Sequence, residues 1–182
     1  SQVMEEYGNQ ILLSSARNRY MGKRMEKLLR RSIWAIREEL KDSDFEPAGF
    51  EISFDSQSFL DSMCLQLSET GRMYLRGKID RMDLYRDSGQ VLVRIVDYKS
   101  GNTSFSLEDF YYGLQLQLIL YMKAALEIEK GHHPDKKTSP AAMLYYQMQD
   151  PLIEAGEDDP AEVLRLKTLR MNGLVSSDEK VY

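Results

Sequence analysis

Residues 77–83, Gly-Lys-Ile-Asp-Arg-Met-Asp, and residues 97–101, Asp-Tyr-Lys-Ser-Gly, are the two stretches whose types and spacing could do chemistry. Between them lies Ser88-Gly89, a turn dipeptide flanked by alternating apolar residues. If Ser88 and Gly89 are the loop of a hairpin, Asp83 faces Arg94 and Asp80 faces Asp97. The first is a cross-strand ion pair. The second sets two like charges with β-carbons about 5 Å apart, which is unfavourable unless something neutralises them. A hard divalent cation would do so. Lys99, two residues beyond Asp97, lies on the same face of its strand. Two carboxylates and an ammonium in one pocket suit metal-assisted hydrolysis of a phosphodiester. The metal activates a water and offsets charge on the phosphoryl oxygens, while the lysine steadies the water or the phosphate. Oxygen donors favour magnesium or manganese over zinc. The other reading of the same residues is a strand-end cluster of ion pairs, because a short D-x-K is common by chance.

These residues need elements to position them. Residues 17–40 carry Met21, Met25, Leu28, Leu29, Ile33, Trp34, Ile36 and Leu40 at helical spacing behind the candidate caps Ser14 and Ser15, and predict one long amphipathic helix. After Pro47 and Gly49, alternation over 50–54, 63–67, 74–85 and 91–98 predicts antiparallel strands. Ser106 followed by Asp109 resembles a helix cap, and residues 107–128 hold helical periodicity with apolar residues nearly all round, as in a buried helix. On it Gln117 and Tyr121 stand four residues apart on one face, a polar pair that needs a partner, with Tyr112 and Gln115 as further polar groups. A polar loop over 129–139, a strand over 141–148 and a short helix opened by Asp159-Pro160 and running to about residue 170 complete the order. The layout is α+β.

With 182 residues, 42% of them hydrophobic, the chain is long enough for one domain with a sizeable core. No apolar run approaches the roughly 18 residues needed to cross a bilayer, and no secretory leader is visible, so a cytoplasmic protein with no membrane partner is expected. The net charge of -5 argues against gripping nucleic acid with the whole surface. Eight basic residues from Arg17 to Arg37 crowd the first helix and read as a solvated face. The single cysteine, Cys64, can form no internal disulfide and reads as a half-buried strand residue; His132 and His133 read as an exposed loop. The start at Ser1 without an initiator methionine, and the end at Tyr182 without a tail, fit a fragment of something larger.

Taken in order, G-K-I-D-R at 77–81, D-Y-K-S-G at 97–101 and Q-L-I-L-Y at 117–121 resemble the RecB-like branch of the PD-(D/E)xK nuclease superfamily. Ser15-Ala16-Arg17, Phe45-Glu46-Pro47, Gly49-Phe50-Glu51, residues 114–121, the run Pro140 to Tyr146 and Asp150-Pro151 narrow the resemblance to the AddB-type nuclease domains of bacterial helicase-nucleases, over nearly the whole chain. The resemblance implies a restriction-endonuclease-like core, a mixed central sheet flanked by helices, with residues 1–182 as a single nuclease domain of a larger subunit. It implies Asp80 and Asp97 as metal ligands for Mg2+ or Mn2+, Lys99 as the catalytic lysine, and Gln117 with Tyr121 as the catalytic motif on the helix beside the site. Glu51 matches a family position without an assignable role, and Glu26 is a weak candidate for a further acid on an upstream helix.

The implied activity is a magnesium-dependent DNA exonuclease processing DNA ends in double-strand break repair. Its partners would be single-stranded DNA ends and a helicase-nuclease partner subunit. The runner-up is a catalytically weak, nuclease-like structural or DNA-end-binding module. A small-molecule hydrolase or protein-interaction domain using the Asp83 and Arg94 face lacks a second supporting constellation. AddB proteins commonly hold an iron-sulfur cluster through one upstream and three downstream cysteines. With Cys64 alone, an iron-sulfur cluster is not expected in this fragment.

Overall fold

The structure, a computed structural model, describes residues 15–54, 64–66, 71–101, 105–152, 160–178 and 181. The described residues fall into two compact units, within Ser1–Lys41 with Met148–Arg170, and within Asp42–Gln147 with Met171–Tyr182.

The first unit contains helix α1, Ala16–Lys41. Ser15 caps it, its Oγ accepting the N–H of Asn18 at 3.1 Å, which satisfies one of the first-turn donors; Ser14 lies outside the described residues. Half of the expected apolar stripe is uncovered: Met21, Met25, Leu29 and Ile33 are exposed, Leu28, Trp34, Ile36 and Leu40 are half-buried, and the buried positions are Gly22, Ser32 and Ala35. At about 100° per residue Gly22 and Ser32 fall within the same stripe and Ala35 at its edge, so on that face the small residues are covered while several long side chains stay exposed.

The second unit is built on a five-stranded sheet of order β1-β4-β5-β6-β7 and a separate two-stranded sheet of β2 and β3. The strands are β1 Glu46–Phe54, β2 Cys64–Gln66, β3 Arg72–Tyr74, β4 Gly77–Arg86, β5 Gln90–Lys99, β6 Lys137–Gln147 and β7 Asn172–Val175. β4 pairs antiparallel with β1 and β5, β5 pairs parallel with β6, and β6 antiparallel with β7, so the sheet is mixed. The single strand expected over 74–85 is two: the chain breaks at Leu75-Arg76, and Tyr74 belongs to the small sheet with Cys64. Of the strand expected over 63–67, Met63 and Leu67 lie outside the described residues. β7, four residues with a glycine, has too little pattern to be read in advance.

The helix expected over 107–128 is also two, α2 Leu107–Tyr111 and α3 Leu116–His132. Ser106 caps α2 as expected, its Oγ accepting the Asp109 N–H at 3.1 Å. Gly113 then adopts φ +75°, a left-handed conformation that glycine takes without steric cost, and turns the chain between the helices. α3 packs on β4, β5 and β6, burying Leu118, Met122, Ala124 and Ala125 against Val91, Val93, Ile95, Met82 and Leu84. It runs through His132, so the two histidines end a helix and do not sit in a loop; both rings approach the buried Glu129 carboxylate, at 3.3 Å and 3.7 Å. The parallel β5–β6 pair requires such a crossover, which α3 supplies.

The last helix, α4 Ala161–Thr168, follows Pro160 in the first unit and stops short of residue 170; Asp159 lies outside the described residues. Among the described residues no helix is long and apolar enough to cross a membrane.

Candidate active site

The β4–β5 hairpin fixes the site. Asp87 Oδ1 accepts the N–H groups of Gly89 and Gln90, each at 2.8 Å, and Asp87 N–H donates to Gln90 O at 3.1 Å, closing the turn around Ser88-Gly89. From there the ladder runs Arg86↔Val91 to Arg81↔Val96 with Asp83 opposite Arg94, the register expected from sequence. It stops one pair short of Asp80 and Asp97. Instead of a plain facing pair, Asp80 extends its carboxylate across the gap, where Oδ2 accepts the backbone N–H of Tyr98 at 2.8 Å.

The reason lies in the backbone on both sides of Asp80. Ile79 packs into the same cluster as Met82 and Leu84, so the alternation of β4 slips by one residue at Asp80. On the neighbouring strand, Phe50 pairs Arg81 and Ile52 pairs Ile79, leaving Glu51 beside Asp80 at φ +54°, a left-handed conformation costly for a residue with a β-carbon. The Glu51 carboxylate forms an ion pair with Lys78. Its hydrogen bond and charge raise the pKa of that ammonium, with Asp80 adding to the effect.

Asp97 is buried, 3% exposed, and forms an ion pair with Lys99, Oδ2 lying 2.6 Å from Nζ. Burial pushes its carboxyl above the usual carboxylate range. Lys99 opposes that shift and Asp80 adds to it. Lys99 Nζ donates to Gln117 Oε1 at 2.8 Å, and Gln117 Nε2 donates to the Tyr121 hydroxyl at 2.9 Å. The polar pair on α3 thus has its partner. Four of the five expected site residues form one connected chain from β5 to α3, and Asp80 is tied to it through the Tyr98 backbone. Tyr112 stays apart, exposed and edge-on to Tyr111, and Gln115 Oε1 accepts the Ser106 N–H at 3.3 Å. Glu26 belongs to the other unit, where it binds Arg30.

Two contributors escaped the sequence reading. Tyr145 stands opposite Asp97 in the parallel β5–β6 register, with Lys99 Nζ 5.3 Å from its ring centre; burial raises its hydroxyl pKa, with Lys99 lowering it and Asp97 raising it further. Nothing in the apolar run 141–148 singles it out. Gly77, the first residue of G-K-I-D-R, leaves room for Phe54 opposite it, against whose ring Tyr121 packs edge-on at 5.8 Å. A β-carbon at Gly77 would lie 2.6 Å from Phe54 Cζ and 3.1 Å from Tyr121 Cε1, and Phe54 is buried. Gly77→Ala is therefore expected to cost about 1–3 kcal/mol in urea melts and to displace Tyr121 from Gln117. A melting curve unchanged from wild type would show that this space is not needed.

A family model described as the PD-(D/E)XK nuclease superfamily matches residues 1–179. The chain belongs to this nuclease superfamily. The mixed sheet with α3 across it is the restriction-endonuclease-like α+β fold expected for a PD-(D/E)XK nuclease domain. The chain is similar to an ATP-dependent helicase/deoxyribonuclease subunit of Clostridium acetobutylicum, 39% identical over 183 residues, covering 99% of this chain and 16% of that protein. Similar proteins of the same name occur in Lachnoclostridium phytofermentans, at 38% identity over 99% of this chain and 14% of that protein, and in Thermoanaerobacter sp., at 37% over 98% and 16%. The chain therefore spans about a sixth of the length of these relatives.

The residues present fit the divalent cation that such nucleases typically use. Asp80 and Asp97 offer hard oxygen donors, and Asp97 Oδ2 is buried beside the Lys99 ammonium, with no other hydrogen-bond donor among the described residues. Its charge is disfavoured by burial and by Asp80, a penalty a cation would relieve. Among the described residues no group of three or more His, Cys, Asp or Glu side chains converges.

Proposed function

We propose that residues 1–182 act as a single nuclease domain, a piece of a longer helicase-nuclease polypeptide. It cuts DNA from single-stranded ends with Mg2+ or Mn2+ held by Asp80 and Asp97. The observation that carries this reading is the run of contacts Asp97–Lys99–Gln117–Tyr121 beside Asp80. An ammonium held between a carboxylate and a glutamine is oriented and has donors left for a third acceptor. When bound, the cation would lower the pKa of a water and offset charge on the phosphoryl oxygens. Lys99 orients the attacking water or a phosphate oxygen, Gln117 and Tyr121 hold Lys99 in place, and the Tyr98 N–H fixes the Asp80 carboxylate. The water oxygen bonds to phosphorus as the bond to the leaving sugar oxygen breaks, and that oxygen leaves with a proton. The names of the relatives support a DNA substrate and a helicase-nuclease partner subunit. A cytoplasmic role in processing broken DNA ends goes with that reading.

End-labelled single-stranded DNA incubated with magnesium, manganese or chelator tests the reading. Metal-dependent shortening from an end is expected, and equal cleavage in chelator would overturn it. A chain that binds ends and never cuts them would favour the nuclease-like binding module.

Melting in chelator and in manganese separates a metal site from a structural ion-pair cluster. At a hundredfold excess over Kd, manganese should stabilise the fold by about 2.7 kcal/mol. Asp80→Asn keeps an oxygen to accept the Tyr98 N–H while removing a repulsion, so the metal-free variant should be as stable as wild type or slightly more so, with a smaller response to manganese. A less stable apo variant with an undiminished response would displace the metal from Asp80.

A further inference from the structure

The unit formed by α1 and α4 carries a cleft of its own, about 290 Å³, lined by Lys27, Arg30, Arg31 and Trp34 from α1 and by Glu162 and Arg165 from α4. Positions 27, 30, 31 and 34 recur at helical spacing, so one face of α1 presents three cations and an indole together. The basic stretch of α1 is thus more than a solvated face: part of it is organised around a concavity.

The cations are only partly committed to the protein. Asp150 is shared by Lys27, at 3.3 Å, and Arg31. Arg30 holds Glu26 through Nε at 3.2 Å and Nη2 at 3.0 Å, an exposed pair one helical turn apart that a phosphate can outcompete. Arg165 Nε is buried with no hydrogen-bond partner among the described residues. In a chain of net charge -5, four cations around one small cleft is a local reversal of sign. Guanidinium forks match phosphate oxygens in pairs, and an indole offers a face for an unpaired base. The volume, near the lower end of the ~300–1,000 Å³ typical of small-ligand sites, suits one nucleotide unit.

We propose that this cleft binds single-stranded DNA, with a phosphate on Arg30, Arg165 and Lys27 and a base stacked on Trp34. The inference rests on the reading of DNA as substrate but not on the metal chemistry of Asp80 and Asp97.

Trp34 is the only tryptophan of the chain, so its emission reports on the cleft alone. The full chain, held in chelator to prevent cleavage, is titrated with a labelled oligothymidylate while indole emission and label anisotropy are followed together. Emission should be quenched in step with binding, and inorganic phosphate or a polyglutamate peptide should compete poorly. Trp34→Ala should weaken binding at least about fivefold, with Trp34→Phe retaining most of it. Arg30→Ala with Arg165→Ala should reduce the salt dependence of log K by about 0.7 per lost phosphate contact. Glu162→Gln, a gain-of-binding variant that no folding defect can imitate, should tighten it. Because the titration is run in chelator, DNA that quenches Trp34 yet is never cut when magnesium is added would fail the nuclease reading alone, so failure of that reading and failure of this one are distinguishable. Binding that leaves Trp34 emission unchanged, affinity untouched by both the arginine and Glu162 variants, or polyglutamate competing as well as DNA would each overturn the proposal.

Discussion

Lys99→Ala is expected to lower metal-dependent cleavage of single-stranded DNA by about 10²–10³-fold while leaving the domain folded. The magnitude is that of removing one preorganised donor from a site where charge develops. The direction follows from geometry: Lys99 Nζ is placed by Asp97 and Gln117 and packs over the Tyr145 ring, and it makes no contact on which the core depends. Its loss also strips Asp97 of the one influence holding its carboxyl down, so Asp97 in the variant should take up a proton at higher pH. Two readouts follow. In metal-free wild type the Asp97 carboxyl should titrate above the ordinary carboxylate range, because burial opposes ionisation. In metal-free Asp80→Asn that titration should move down, since Asp80 is one of the influences raising it. NMR titration of the carboxyl carbons in chelator, with circular dichroism as the check on folding, would settle both. Undiminished cleavage by Lys99→Ala would remove the lysine from the chemistry.

The largest effect on stability is expected at Asp83. Its carboxylate is fully buried and accepts Arg81 Nε at 2.6 Å, Arg81 Nη2 at 2.7 Å and Arg94 Nε at 2.9 Å, and the Arg94 guanidinium lies 4.7 Å from the Phe45 ring centre with Ser43 Oγ 3.3 Å away. This is why the Asp83–Arg94 pair cannot serve as an exposed interaction face, as one reading of the sequence allowed. Asp83→Ala would leave two guanidinium groups under the sheet without their shared anion, at a cost of about 3–5 kcal/mol. The damage should spread to the site, because Arg81 adjoins Asp80 on β4 and pairs with Val96 in the ladder that leads to Tyr98, whose backbone N–H holds Asp80 and whose ring packs edge-on against Tyr146 at 5.9 Å. A denaturant midpoint within experimental error of wild type would show that the triad is dispensable.

What the sequence determined by itself is the register of one hairpin and, through it, the neighbourhood of the site. A two-residue turn and strict alternation are local properties, and they suffice to set Asp83 against Arg94 and to bring Asp80, Asp97 and Lys99 to one end of β4 and β5. The polar pair on α3 was legible for a similar reason: residues four apart share a face, and buried amides and hydroxyls need partners. Tertiary structure decided what depends on segments distant in the chain. The left-handed backbone at Glu51 on β1 leaves that residue beside Asp80, where the β4–β5 ladder ends one pair early and the carboxylate goes to the Tyr98 N–H in place of facing Asp97 squarely. The parallel pairing of β5 with β6 sets Tyr145 against Asp97, and only closing the crossover through α3 brings those strands together. On α1 the pattern marked the apolar stripe, and on that face burial falls on the small residues Gly22, Ser32 and Ala35 while Met21, Met25, Leu29 and Ile33 stay exposed. Local pattern records which residues can share a face; contact with the rest of the chain decides which of those faces is used.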